Sequence, residues 1–322
     1  MILNIFNFAA FTNIETIPPW VNLSMCVLDI FGNFKKSDTN SSVFSQKFYE
    51  HRNNYNDFKP IFTDGSKHDN HVGCGVVIEN FTISEQLHQD ASIFTAECYA
   101  ILLALNFISD QTYRKWIIYT DSRSFISSVP HTGRNPMICK IQSCFTELCG
   151  EGFHIYFCWI PSHVGIRGND LADITAKTTQ NVSNNLITSL DFKRICKSTI
   201  QQAWKEHWYK QANNKLHEIY PNLDNFKTIH IDRKTQVIIN RLRIGHSRFT
   251  HMHLLKSEPA PSCSLCHVDI TIKHILTDCE RFKHLRNKLF GSFYPNLQSL
   301  LGDPIHHNLL KFIKTIGLYS LL

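Results

Sequence analysis

Four acidic residues stand in four separate local patterns along this chain of 322 residues. They are Asp64 in Thr-Asp-Gly-Ser, Glu97 in Thr-Ala-Glu, Asp121 in Thr-Asp-Ser and Asp173 in Gly-Asn-Asp-Leu-Ala-Asp. Each lies at the end of an apolar run or on one face of a helical stretch, so a fold can gather all four at one edge of a sheet. Converging carboxylates repel one another unless a cation stands between them, and oxygen ligands favour Mg²⁺ or Mn²⁺. The combination indicates metal-assisted cleavage of a phosphodiester.

Two divalent ions held about 3.5–4 Å apart can assist both halves of an in-line displacement. One ion lowers the pKa of the attacking water, and the other neutralises charge on the leaving oxygen. The ligands must be mounted on rigid elements, which strand ends at Asp64 and Asp121 would supply. Each carboxylate alone is weak evidence, because an Asp after a strand is usually a turn former or a helix cap.

The elements that must position these carboxylates follow from the hydrophobic pattern after Phe58. Residues 60–64 predict a short strand that ends at a Gly-Ser turn, and residues 73–78 and 81–88 predict two more strands. Helices are predicted over 95–108, 138–149 and 168–177, with strands over 116–120 and 154–160. This order is typical of an α/β fold with a mixed sheet and helices on its faces. Beyond Thr178, amphipathic helices are predicted over 191–215, 233–243 and 305–318.

The stretch from Phe58 to about Thr178 strongly resembles the type 1 ribonuclease H domain. The resemblance rests on the four acidic motifs and on Trp159-Ile160-Pro161-Ser162-His163-Val164-Gly165. It implies a five-stranded mixed sheet and endonucleolytic hydrolysis of the RNA strand of an RNA–DNA hybrid with two Mg²⁺ (or Mn²⁺) ions per site. Asp64, Glu97, Asp121 and Asp173 would be the metal ligands. His163 corresponds to a histidine on a mobile loop that assists proton transfer or product release.

The sequence departs from that family at two places. Ile93, Phe94 and Thr95 stand where the family often has Asn or Gln side chains that contact the hybrid. Backbone groups would therefore have to replace amide contacts there. The segment between Asp121 and Pro161 is short and carries few basic residues, so we expect no cationic protrusion that grips the substrate.

A compact cluster supplies three thiols and one imidazole in the spacing Cys263-x2-Cys266-x7-His274-x4-Cys279. Such a set suits a closed, tetrahedral, structural Zn²⁺ site. His267 is an alternative ligand, and buried thiols beside an incidental histidine are the competing interpretation. The eleven cysteines are scattered through apolar stretches, which indicates mostly free thiols in a reducing compartment.

The cysteine cluster resembles the zinc-binding segment that follows ribonuclease H in the polyproteins of non-LTR retrotransposons. The stretch Ile17-Pro18-Pro19-Trp20 likewise looks like the connection downstream of a reverse transcriptase. The chain has no Tyr-x-Asp-Asp polymerase motif. The resemblance suggests a C-terminal fragment of such an element, or a gene derived from one, with a reverse transcriptase as a possible partner.

Charge divides the chain unequally. Residues 1–180 carry 13 Lys and Arg against 17 Asp and Glu, whereas residues 181–322 carry 20 against 10. This asymmetry predicts a catalytic half joined to a basic half that contacts nucleic acid, with a solvated helical surface as the alternative. The basic residues around the cysteine cluster are Arg241, Arg243, Arg248, Lys256, Lys273, Arg281, Lys283, Arg286 and Lys288, interleaved with the rings of His246, Phe249, His251 and His253.

The length of the chain predicts about two domains, and the motifs and composition along the chain divide it further. We predict a connecting arm over 1–57, a ribonuclease H-like domain over 58–180, a helical linker over 181–260, and a zinc segment with terminal helices over 261–322. The N-terminus is a poor signal peptide and no apolar run spans a membrane, so we expect an intracellular protein, nuclear or cytoplasmic. The alternative functions are a catalytically decayed nucleic-acid-binding module and an interaction protein that docks on a polymerase.

Overall fold

The computed structural model describes residues 10–11, 25–32, 34, 36–130, 135–180, 187–211, 213–223 and 231–322. The chain divides into two compact units, residues 1–198 and 199–322. The predicted connection at Ile17-Pro18-Pro19-Trp20 lies outside the described residues. The division into four segments stays a prediction.

The first unit is a layered α/β structure. Its strands are β1 (Ala10–Phe11), β2 (Val27–Leu28), β3 (Lys59–His68), β4 (His71–Ile78), β5 (Phe81–Leu87), β6 (Lys115–Thr120), β7 (His154–Trp159) and β8 (Ile187–Thr188). Its helices are α1 (Ser41–Asn54), α2 (Ile93–Ser109), α3 (Arg123–Ser128), α4 (Pro136–Gly150) and α5 (Arg167–Thr178), followed by α6 (Ser189–Tyr209), which continues past residue 198.

The main sheet has the strand order β2-β7-β6-β3-β4-β5. The pairs β3–β4 and β4–β5 are antiparallel, whereas β3–β6, β6–β7 and β7–β2 are parallel. The predicted mixed α/β class is confirmed, with six strands in place of five. The extra strand, β2, is two residues long, so it carries no periodicity that the sequence could reveal.

The sheet is buried on both faces, and β6 shows how. Trp116 and Ile118 join the core that contains α2 and α4, whereas Ile117 and Tyr119 join a second core on the opposite face. This alternation is the period of two that a strand imposes on its side chains. The second core includes Phe31, Phe44 and Phe48, so the described part of residues 25–57, including α1, packs against the sheet.

The first strand of the domain differs from its prediction. Strand β3 does not end at the Gly-Ser pair but continues to His68, with Gly65 paired to Cys74 and Ser66 paired to Gly73. The prediction was wrong because Gly65 serves a close approach here and not a turn. A Cβ atom at Gly65 would lie 2.5 Å from the backbone nitrogen of Glu97, so only glycine lets α2 pack this closely on β3.

Helix α2 is apolar around most of its circumference, which is typical of a buried helix. Its N-terminus is capped by Ser92, whose side-chain oxygen accepts a hydrogen bond from the Thr95 backbone nitrogen at 3.2 Å. Ile101 and Leu105 are almost completely buried in the core between the sheet and α4. Helix α2 is therefore a rigid support for any side chain at its N-terminal end.

The second unit is helical. After the shared helix α6 it contains α7 (Arg233–Ile244), α8 (Arg248–Lys256), α9 (Lys283–Phe290), α10 (Leu297–Leu301) and α11 (Leu309–Thr315). The predicted helix over 191–215 ends at Tyr209, and the one predicted over 305–318 is shorter. One apolar core joins Leu242 of α7, Leu276 beside the cysteine cluster and Phe312 of α11. Within the described ranges, no helix is both long and apolar enough to cross a membrane.

Candidate functional site

Three of the four predicted carboxylates meet at one edge of the sheet. Asp64 lies on β3 and Asp121 directly follows β6; these strands are parallel neighbours, with Thr63 in register with Thr120. Glu97 reaches the same point from α2. One ligand oxygen from each of Asp64, Glu97 and Asp121 lies within 4.8 Å of the other two. The parallel strand pair places Asp64 and Asp121 side by side, and α2 brings Glu97 to them.

The fourth carboxylate, Asp173, approaches from α5. This helix packs directly on β4, where a Cβ at Gly73 would lie 2.2 Å from the Ala176 carbonyl oxygen and a Cβ at Gly75 would lie 2.5 Å from that of Ala172. The two glycines therefore let α5 come close enough for Asp173 to hydrogen-bond with Asp64. Asp173 lies outside the set of three whose oxygens converge.

Burial and mutual repulsion raise the pKa values of the three converging carboxylates. Burial, with repulsion from Asp121 and Asp173, raises the pKa of Asp64 to about 8. Burial and repulsion from Asp64 hold the pKa of Glu97 well above its ordinary value. Burial also raises the pKa of Asp121, although a hydrogen bond from Asn169 and the nearby His163 oppose that shift. Without a cation, the cluster is stabilised by retained protons.

These donors fit a hard divalent cation. All of the converging ligand atoms are carboxylate oxygens, the set that Mg²⁺ and Mn²⁺ prefer. Oε2 of Glu97 is buried and has no hydrogen-bond partner among the described residues. A buried carboxylate oxygen without a partner is costly, and a bound cation would supply the missing interaction. Asp64, Glu97 and Asp121, with Asp173 beside them, are the residues that would hold it.

The metal-free stability of the domain provides a first prediction. An acid whose pKa is raised in the folded state stabilises the fold at low pH, and this contribution is lost as pH rises through the folded pKa. In buffer without Mg²⁺ or Mn²⁺, Asp64→Asn should therefore raise the melting temperature, by about 5 °C or more at pH 8.5 and by much less at pH 4.5. Asp69→Asn, at the exposed turn after the same strand, is the control. Equal melting temperatures for wild type and Asp64→Asn at both pH values would contradict the prediction.

His163 lies in the turn between β7 and α5. Its backbone has a φ of 54°, the left-handed region, and its side chain is exposed. Electrostatic interaction with His163 lowers the pKa of Asp121 and so opposes the effect of burial. The structure therefore places His163 beside the carboxylates but not among the converging ligand atoms.

One site residue was missed by the sequence interpretation. Asn169 is 2% exposed, hydrogen-bonds with Asp121 and has an Oδ1 atom without a partner among the described residues. It lies in the Gly-Asn-Asp motif, but the motif alone assigned it only to the start of a helix. A second contact to the same loop comes from Trp159, whose Nε1 donates to the Asp121 carbonyl oxygen at 3.1 Å.

The predicted zinc ligands also converge. One ligand atom each from Cys263, Cys266, His274 and Cys279 lies within 4.8 Å of all the others. The sulfur atoms of Cys263 and Cys279 are 3.9 Å apart, and Nε2 of His274 is buried without a hydrogen-bond partner among the described residues. His274, and not the exposed His267, is the imidazole of this group. Three thiols and one imidazole whose Nε2 has no hydrogen-bond partner among the described residues suit a tetrahedral zinc ion.

The surroundings shift the pKa values of Cys263 and Cys279 in opposite directions. A hydrogen bond with His274 is the largest cause that lowers the pKa of Cys263, to about 6, whereas burial raises that of Cys279 to about 11. Arg286 is completely buried and its Nη1 donates to the Cys279 carbonyl oxygen at 2.7 Å. A buried guanidinium at this position would balance part of the negative charge of three thiolates.

The basic surface predicted around this cluster is smaller than the sequence suggested. Arg286 is completely buried, and Arg243 is largely buried against Asp303 at 3.0 Å, so neither is available to phosphate. Lys273 pairs with Glu218 at 2.6 Å. Arg241 donates a hydrogen bond to an oxygen of Leu322. The exposed members with no ion pair within the described part of the chain are then Arg248, Lys256, Arg281 and Lys288.

One comparison with known proteins found a family match for the segment that carries the four acidic residues. Residues 57–181 match the model of the RNase H family. The match spans somewhat more than a third of the chain and contains Asp64, Glu97, Asp121 and Asp173. This part of the chain is therefore a ribonuclease H domain, the domain of a hydrolase. A search of curated proteins found no match to the chain.

Among solved structures, the chain is similar to RNase H1 from the halophilic archaeon Halobacterium salinarum NRC-1. The identity is 19%, the alignment covers 37% of this chain and 94% of that one, and the TM-score is 0.29. It is also similar to LC11-RNase H1, solved in complex with an RNA/DNA hybrid. There the identity is 18%, the coverage is 37% of this chain and 96% of that one, and the TM-score is 0.31.

Proposed function

We propose that the chain hydrolyses the RNA strand of RNA–DNA hybrids, as an endonuclease that uses two Mg²⁺ or Mn²⁺ ions. The observation that carries the proposal is the convergence of Asp64, Glu97 and Asp121 within a segment that matches the RNase H family. Asp173 completes the group from α5. A cluster of partly protonated, buried carboxylates has little value for stability, which favours a role in metal binding.

The side chains have distinct roles in this proposal. Asp64, Glu97, Asp121 and Asp173 would hold the cations, which would offset the charge of the scissile phosphate. Bound divalent ions would supply the activated water and the stabilisation of the leaving oxygen. Asn169 holds the Asp121 carboxylate in place, and the Trp159 indole fixes the loop behind it. His163 stands at the exposed side of the cluster, where it can accept or donate a proton as the product leaves.

A panel of labelled duplexes tests the proposed substrate. The full chain in Mg²⁺ should cut the RNA strand of an RNA–DNA hybrid and leave duplex DNA intact, since only RNA offers 2′-hydroxyl groups in the minor groove. Duplex RNA should be cut far more slowly. Cleavage of duplex DNA at the rate of the hybrid, or no cleavage of the hybrid, would overturn the proposal.

His163 should affect turnover more than chemistry at the phosphate. We expect His163→Ala to lower kcat by about 100-fold, the lower end of the range for a side chain that transfers a proton. His163→Asn is the matched variant, since Asn also tolerates the left-handed backbone at φ 54°. Single-turnover and multiple-turnover rates separate proton transfer from product release. If the single-turnover and multiple-turnover rates of His163→Ala both equal those of wild type, His163 has no role in the reaction.

The second part of the proposal concerns the cysteine cluster. Cys263, Cys266, His274 and Cys279 hold one structural Zn²⁺ ion, whose role is to stabilise the second unit. Thiolates select zinc over the magnesium of the acidic site, so the two kinds of metal do not compete. We further propose that the chain derives from a non-LTR retrotransposon and that its exposed basic residues in the second unit assist binding to nucleic acid. That contribution would weaken steeply as salt increases.

A further inference from the structure

A buried side chain that lies outside the family match, Asp191, makes a hydrogen bond with the ribonuclease H domain. Asp191, ten residues after the end of the family match, lies in the first turn of α6 and is only 4% exposed. Its Oδ2 accepts a hydrogen bond from the Thr95 hydroxyl at 2.6 Å and another from the Thr188 hydroxyl at 3.1 Å. A buried carboxylate needs such donors, and both are supplied within the first unit.

Thr95 connects this carboxylate to the active-site helix. It is the third residue of α2, is 3% exposed, and lies two residues before Glu97. The hydroxyl of Thr95 is bound to Asp191 while its backbone nitrogen is bound to the cap residue Ser92. Both hydrogen-bonding groups therefore fix the first turn of the helix that carries Glu97.

The position of Asp191 also suits its charge. A carboxylate near a helix N-terminus is favoured by the helix dipole and by the free N–H groups of the first turn. Arg194, one turn later on α6, donates to the Asp90 carbonyl oxygen at 2.6 Å, in the loop that leads into α2. From β3, Lys67 donates to the Ala91 carbonyl oxygen at 2.6 Å. The start of α2 is thus held from two sides.

We infer that Asp191 is a positioning residue for the proposed reaction, because it fixes the first turn of α2 and thereby the Glu97 carboxylate against Asp64. The backbone of α2 is in close contact with β3 at Gly65, so a small shift of this turn changes the distance between the two carboxylates. The catalytic unit therefore extends at least to α6. This inference rests on the proposed function.

The test uses the full chain and four variants: Asp191→Ala, Thr95→Val, the double variant and Asp191→Asn. The measured quantity is the Mg²⁺ concentration that gives half-maximal cleavage of the hybrid, well below the melting temperature of each variant. We expect Asp191→Ala and Thr95→Val each to raise this Mg²⁺ concentration about 10-fold, in the range for residues that orient metal ligands. The double variant should show no further increase, because both changes remove the same hydrogen bond. Asp191→Asn keeps an acceptor oxygen and should behave nearly as wild type.

Controls separate this inference from the proposed function. Asp110→Ala, at the exposed C-terminal end of α2, should leave the Mg²⁺ requirement unchanged. If wild type cleaves the hybrid and folded Asp191→Ala and Thr95→Val need no more Mg²⁺ than wild type, Asp191 has no positioning role. If wild type does not cleave the hybrid, the proposed function fails. Calorimetric titration with Mn²⁺ then decides the positioning role: about 10-fold weaker binding in Thr95→Val supports it, and unchanged binding overturns it.

Discussion

Asp121→Asn should reduce cleavage of an RNA–DNA hybrid by at least about 10³-fold while the protein remains folded. The change keeps the size of the side chain but replaces an anionic oxygen at the point where three ligand atoms converge. The loss of one charged ligand weakens the hold on a cation that would stabilise several units of transition-state charge. The melting temperature in metal-free buffer should not fall, because burial raises the pKa of Asp121 and its charge is already unfavourable there.

The matched control for this variant is Asp170→Asn. Asp170 is an acidic residue in the first turn of α5, one helical turn before Asp173, and it is not among the converging ligand residues. Asp170→Asn should keep most of the activity. Initial cleavage rates in Mg²⁺ for the three proteins, with thermal melting of each, provide the comparison. Equal rates for wild type and Asp121→Asn would remove this cluster from the reaction.

Cys263→Ser should abolish zinc binding and lower the stability of the second unit by more than about 3 kcal/mol. Zinc held by three thiolates and one imidazole contributes directly to folding free energy, and a hydroxyl is a poor substitute for a thiolate. The loss of stability should be large because Cys279 is buried and Leu276, three residues before it, belongs to the apolar core of the second unit. Native mass spectrometry should show one Zn²⁺ per wild-type chain and none in the variant.

Cys149→Ser is the control for the zinc prediction. Cys149 is an exposed free thiol near the end of α4, so its replacement should change neither zinc content nor melting. Both proteins should retain one zinc ion after extensive dialysis. Wild-type protein that is purified without zinc and is fully folded would contradict the assignment.

Much of the fold could be predicted from the sequence because its pattern is strong where the elements are long. The buried strand at Trp116 is a short continuous apolar run, and the helix around Ala100 is a long apolar segment with residues at helical spacing. The acidic residues could be identified for a different reason. Each belongs to a short local motif, and the four motifs together are specific for one family. Asp64 and Asp121 meet because β3 and β6 are parallel neighbours, and Glu97 reaches them from α2, which packs on β3 at Gly65.

Other features depend on tertiary contacts that leave no local signal. The Gly-Ser pair at Gly65 is a common turn signal, yet here its glycine permits contact between a strand and a helix. The short strand β2 has main-chain bonds but no pattern. Asn169 and Asp191 act through partners distant in sequence, and their residue types alone indicate caps or solvent-exposed positions. Arg286 was counted as a surface cation because burial of a guanidinium cannot be inferred from composition.

The most direct test of the central claim is anomalous diffraction from crystals of the full chain soaked in Mn²⁺. We expect two manganese peaks at the sheet edge, within coordination distance of oxygens from Asp64, Glu97, Asp121 and Asp173. Crystals of Asp64→Asn provide the reference, with weaker or absent peaks. Manganese bound elsewhere on the chain, with none beside Asp64, Glu97 or Asp121, would rule out the acidic cluster as the metal site.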